Sequence, residues 1–142
     1  MKWLRRWFGR HAALEQDDPA FGRIVFSPGP GAELWTHAPA GPDDHLVVII
    51  APAAGPAPAQ RDFHAALRTR LAAEVARSRD FVAVHAGAPV EPGALRLYAV
   101  EIGPSDELAA GRFVIELSDA EATCIHRVEY ESGRPTVYGC DD

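Results

Sequence analysis

The chain has 142 residues, of which 47% are hydrophobic, which suits one domain with material for a proper core. It carries 14 basic and 20 acidic residues, a net charge of −6, and Lys2, Arg5, Arg6 and Arg10 all fall within residues 1–11, so the remainder holds 10 basic against 20 acidic residues, or −10. Such a body repels nucleic acid and makes a basic macromolecule the fitting charged partner, and no apolar run approaches the ~20 residues of a membrane span.

The first segment opposes the rest in charge and holds two of the three tryptophans. At about 100° per residue, Trp3, Trp7, His11 and Leu14 share one helical face with Leu4 and Phe8 beside them. Lys2, Arg5, Arg6 and Arg10 take the other face, the pattern of a helix lying in a membrane interface. Trp3, Leu4, Arg5, Arg6, Trp7, Phe8 and Arg10 are therefore the candidate contacts with an anionic membrane or a partner. The same aromatics suit packing on this domain or on a second copy. Arg5-Arg6-Trp7-Phe8 resembles a twin-arginine signal, but residues 11–18 stand where an apolar region belongs, so a cytoplasmic, at most membrane-peripheral, location is expected. Asp17-Asp18-Pro19 closes the segment, dividing the chain into a tail at 1–17 and a single domain at 18–142.

The domain opens with three expected strands. Residues 23–27 alternate, with Ile24 and Phe26 on one face, and 27–31 form a Pro/Gly turn. Residues 33–37 follow, carrying Leu34 and Trp35. After the turn at 41–44, residues 45–51 are apolar on both faces and read as a central strand. A Pro-rich connection leads into a helix beginning near Pro58, since proline is tolerated in a first turn. Phe63, Leu67, Leu71 and Val75 recur at i+4 spacing, with Ala66 and Val82 near that stripe and Arg61, Arg68, Thr69 and Arg79 away from it. This amphipathic helix should pack on a sheet. Residues 81–85 continue it or form a short strand, and helix is favoured.

Residues 95–102 read as a strand with Tyr98, Val100 and Ile102 on one face. A short helical turn is expected at Ser105-Asp106-Glu107, and a strand at 113–117. Strands at 123–130 and 136–140 form a hairpin about residues 132–135. Three strands, one long helix and four strands imply an α+β fold, a mainly antiparallel sheet with the helix on one face.

Asp18-Pro19-Ala20-Phe21-Gly22, the strand after it and Trp35 resemble a group of uncharacterised bacterial domains that open with a DPxFG-like motif and a tryptophan-bearing strand. The pattern continues through the apolar strand at 46–50 and Gly55-Pro56 into Gln60-Arg61, Phe63 and Leu67, covering residues 18–80. The resemblance implies a fold type rather than an activity, and carries over no catalytic residues. Some small acidic domains of this kind are suspected immunity proteins of bacterial toxin systems.

Catalytic, cofactor and metal sites are not expected. No G-x-S-x-G elbow or phosphate loop occurs. Cys124 and His126 share a strand face, but no paired zinc spacing accompanies them. A turn at 132–135 would set Glu131 opposite Thr136 and Arg127 opposite Cys140. Cys124 would then lie three residues, roughly 10 Å, from Cys140's partner and on the opposite face. That register predicts two free thiols, hence a reducing compartment, and no shared ligand set. Trp35 and His37 share a face and form a candidate partner patch if the helix leaves that face uncovered. The functional expectation is a non-catalytic binding protein, immunity-like or accessory, whose acidic body engages a protein partner. The alternatives are a peripheral membrane adaptor docked through residues 1–14 and a small-molecule enzyme. A dimer fits the aromatic tail and the exposed strand edges.

Overall fold

A computed structural model describes residues 14–141 apart from 30, 42 and 122. Among the described residues, eight strands form one sheet in chain order: β1 (Glu15–Asp18), β2 (Gly22–Pro28), β3 (Glu33–His37), β4 (Leu46–Ile50), β5 (Arg96–Ile102), β6 (Phe113–Ser118), β7 (Ile125–Glu131) and β8 (Arg134–Asp141). All neighbours pair antiparallel except β4 and β5. Those two are parallel because the long helix α1 (Pro58–His85) carries the chain back across the sheet between them. A 3-10 turn (Pro92–Ala94) precedes β5, and a short helix α2 (Ser105–Ala109) joins β5 to β6. The fold is therefore α+β with a mainly antiparallel sheet, as the order of strands and helix implied. The sequence reading gave residues 81–85 to the helix, and they complete α1.

Glu15–Asp18 pairs residue by residue with β2, so the sheet begins at Glu15, within the segment assigned to the tail. The DPxFG-like motif is the hairpin turn that follows. Asp18 Oδ1 accepts the N–H groups of Ala20 (2.9 Å) and Phe21 (3.1 Å), Phe21 is buried, and Gly22 takes a positive φ of 72° that suits glycine. The candidate contacts Trp3, Leu4, Arg5, Arg6, Trp7, Phe8 and Arg10 lie outside the described residues.

The helix buries a stripe through Gln60, Leu67, Glu74, Val75, Ser78 and Val82, with Phe63 and Leu71 half-buried beside it. Ala66, expected near the stripe, is exposed. A strict i+4 repeat drifts around a helix of 3.6 residues per turn, and the buried line corrects with i+3 steps such as Val75 to Ser78. Against it pack Val47, Ile49, Val100, Ile102, Phe113, Ile115, Leu117, Val128 and Tyr130. Tyr98 was expected to share a face with Val100 and Ile102. A bulge between Leu97 and Ala99 instead turns Leu97 towards the core and leaves Tyr98 exposed.

Among the described residues, no fully buried side-chain polar atom lacks a hydrogen bond. Gln60 Nε2 donates to Ile50 O (2.8 Å) and Gly103 O (2.9 Å), joining the C-terminal ends of the parallel strands. Gln60 Oε1 accepts the Ala57 N–H (2.9 Å), half of a capping box whose other half alanine lacks. Tyr130 Oη donates to Glu74 O (3.0 Å) and lies 2.7 Å from Ser78 Oγ; burial pushes its pKa up to about 12.

Candidate functional site

The register sorts the side chains between the two faces, since paired residues point the same way and neighbours in a strand alternate. Trp35 pairs with Phe26 and Ile49 on the helix side and is only 1% exposed. Its Nε1 donates to Pro52 O (2.8 Å) in the connection leading to α1. The condition for a Trp35–His37 patch therefore fails, and Trp35 is a core residue. His37 sits at the margin of that core, half-buried. Its Nδ1 lies 3.0 Å from Arg23 O and its Nε2 3.8 Å from Asp44, which also approaches His45 at 3.7 Å. His64 on α1 packs against Phe21 with ring centroids 4.6 Å apart. Burial, with the nearby Arg68 charge, lowers its pKa to about 4.

Among the described residues the opposite face carries no second layer, because the eight strands belong to one sheet with α1 on the other side. Across β2 to β4 it presents Val25, Leu34, Thr36, Leu46, Val48 and Ile50, all half-buried. Across β5 to β7 it turns acidic. Arg127 Nη1 donates to Glu101 (3.0 Å) and Glu116 (3.1 Å), and Arg127 Nε to Glu129 (3.4 Å). The register forces this grouping: Glu116 pairs with Arg127, while Glu101 and Glu129 flank Val114. Three carboxylates share one guanidinium, leaving two negative charges in excess. Burial raises the pKa of Glu116; Arg127 opposes the rise, and Glu101 and Asp141 add to it.

A cleft of about 260 Å³ opens beside this group, where β4 and β5 end. Its walls include Ile50, Glu101, Val114, Arg127 and Glu129 from the open face, with Gly103, Glu107 and Arg112 closing the end. Arg112 is itself engaged by Glu107 (3.4 Å) and Glu131 (3.2 Å). The central arginine is legible only once β5, β6 and β7 are in register.

The cysteines overturn an expectation. Cys124 and Cys140 form a disulfide, with Cα atoms 6.4 Å apart. The hairpin turns on two residues, Ser132 and Gly133, both at positive φ, so Glu131 faces Arg134 rather than Thr136. That turn alone would set Cys140 opposite Ile125; a bulge after Glu129 moves the register back by one residue and sets Cys140 opposite His126. The cysteine offset becomes two, an even number, and both sulfurs point to the same face. The reading of free thiols, and the reducing compartment inferred from it, lose their basis. The same shift gathers Cys124, His126 and Cys140, whose ligand atoms lie within 4.8 Å of one another. Cys124 Sγ is 3.9 Å from His126 Nδ1, which is 2.9 Å from Tyr138 Oη.

No protein-family model matches this chain, and neither a curated protein nor a solved structure shows significant similarity to it. Among the described residues, no helix is long and apolar enough to cross a membrane.

Proposed function

We propose that this domain is a non-catalytic binding protein whose open sheet face engages a basic protein surface. The observation that carries this reading is the sharing of Arg127 by Glu101, Glu116 and Glu129 beside a half-buried apolar strip. A cationic side chain entering the cleft would relieve the excess of carboxylates, and apolar neighbours on the partner would cover Leu34, Val48 and Ile50. The cleft volume of about 260 Å³ lies below the ~300–1,000 Å³ of sites that enclose a small molecule, and suits one long side chain of a macromolecule. The net charge of −10 outside residues 1–11 would steer such a partner in and repel acidic competitors. An accessory or immunity-like role, in which the domain covers a basic working surface of another protein, is consistent with this geometry.

Amide chemical shifts of the full chain, titrated with a peptide of alternating lysine and leucine, test the reading. Shifts are expected along β4 to β7, with affinity falling as salt rises. Combining Glu101→Gln with Glu116→Gln should weaken binding roughly threefold to tenfold and leave the fold intact. Absence of shifts on those strands, or equal affinity of the double variant, would remove the open face as the binding surface.

A further inference from the structure

We infer that the reduced form of the Cys124–Cys140 pair, together with His126, is a zinc site. The three donors come from two adjacent segments, Cys124 and His126 at the start of β7 and Cys140 near the end of β8, and the hairpin bulge places them on one face. Two thiolates and an imidazole form a set suited to Zn²⁺ rather than to oxygen-preferring Mg²⁺ or Ca²⁺.

A tetrahedral zinc with Zn–S bonds of about 2.3 Å holds its two sulfurs roughly 3.7 Å apart. The Cα separation of 6.4 Å accommodates that span as well as the disulfide, so side-chain rotation suffices. The distance of 3.9 Å between Cys124 Sγ and His126 Nδ1 already approximates a ligand–ligand edge. His126 is buried while Cys140 is exposed, so the imidazole forms the inner wall and the fourth position opens to water.

The chemistry has two steps. A dithiol reductant delivers two electrons and two protons to the disulfide; the S–S bond breaks, two thiols form, and the reductant leaves as its own disulfide. Zn²⁺ then displaces the two thiol protons into solvent and binds His126 Nδ1, with the ring proton on Nε2. The Tyr138 hydroxyl gives up Nδ1 as a partner in that step. A small-molecule disulfide reverses the step: it accepts two electrons from the thiolates and two protons from solvent, leaves as its dithiol, and the re-formed S–S bond releases Zn²⁺, so occupancy follows the redox state. This site lies at the far end of β7 and β8 from the Ser132-Gly133 turn, and it does not depend on what the open sheet face binds.

Cobalt titration of the full chain tests the site, first after reduction and removal of the reductant under anaerobic conditions, then in the oxidised form. The reduced chain should bind one Co²⁺ with a sulfur-to-cobalt charge-transfer band and the visible bands of a tetrahedral centre. Zn²⁺ should abolish both, and the oxidised chain should show neither. Cys140→Ser, at an exposed position that the core does not need, should weaken binding at least tenfold and reduce the charge-transfer intensity. Tyr138→Phe should retain the full spectrum, because the hydroxyl competes for Nδ1 rather than ligating. His126→Ala should lose the tetrahedral bands, and circular dichroism would establish that the variant is folded. A reduced chain that binds no cobalt, binds it without charge transfer, or binds it equally well in folded Cys140→Ser and His126→Ala variants would overturn the proposal.

Discussion

Beneath α1, Gln60, Ser78 and Tyr130 each end on a defined partner; across the sheet, three carboxylates divide one guanidinium. Among the described residues no buried side-chain polar atom lacks a hydrogen bond. The covered face therefore has little to offer a partner, since each polar group there is already committed and desolvated. The open face holds its charges part-exposed and out of balance, which is a weak arrangement for stability and a useful one for recognition. The two faces should respond differently to the same chemical change.

Placing one aspartate on each face gives the largest contrast. Leu67→Asp buries an unpaired carboxylate in the apolar core and should cost more than about 4 kcal/mol, enough to abolish cooperative unfolding. Leu34→Asp lies on the open face opposite Ser27 and Ile50 and should cost only about 1–2 kcal/mol with the fold retained. Thermal unfolding followed by far-ultraviolet circular dichroism measures both. Comparable losses would mean that the open face is covered after all.

A second contrast lies within the covered face, between apolar packing and polar pinning. Gln60→Ala removes the donors held by Ile50 O and Gly103 O at the ends of the parallel strands, and leaves both carbonyls without that partner. The expected loss is about 2–4 kcal/mol in urea denaturation. Amide exchange should quicken first near the ends of β4 and β5, while β7 and β8 keep their protection. Uniform acceleration across the sheet would show that Gln60 supports the whole core rather than the one parallel junction.

The reasons these features were or were not legible in the sequence differ by element. The helix and seven strands announced themselves because their apolar periods are long relative to their boundaries. The strand β1 did not, because Glu15-Gln16-Asp17-Asp18 is entirely polar and owes its conformation to pairing with β2 and to the ion pairs of Arg23 with Glu15 and Asp17. Asp18 read as the first letter of the DPxFG-like motif, yet its carboxylate is buried, holding two backbone N–H groups and Arg61 Nε at 2.8 Å from 43 residues away. The cysteine pairing was missed by one residue of register: a two-residue turn and one bulge convert an odd offset into an even one. Likewise Arg127 is an outward-facing basic residue of an alternating strand until β5 and β6 bring their carboxylates to it. Local pattern specifies elements, whereas a shared site depends on registers that turns and bulges set.

The smallest effect concerns His64, on the covered side beside Phe21 and Arg68. Its pKa falls from 6.5 to about 4 in the folded chain, because burial and then the Arg68 charge disfavour the imidazolium. Above about pH 6.5 the ring is neutral in both states, and stability is complete. Between there and pH 4 the unfolded chain takes up a proton that the folded chain refuses, so stability declines as pH falls. The carboxylates of Asp18 and Asp44 act lower, since their pKa values are depressed below 3.8. For Asp18 burial acts in the opposite sense and is outweighed by the Ala20 N–H and Arg61; for Asp44 the N–H groups of Ala40 and His45 dominate. His45, also lowered by burial, shares the His64 window and leaves part of the slope in place. His64→Gln should therefore shrink the difference in urea stability between pH 7 and pH 5 by on the order of 1 kcal/mol, allowing for partial exposure of the ring. Parallel curves for His64→Gln and wild type would place the ring in contact with water and move it off the covered face.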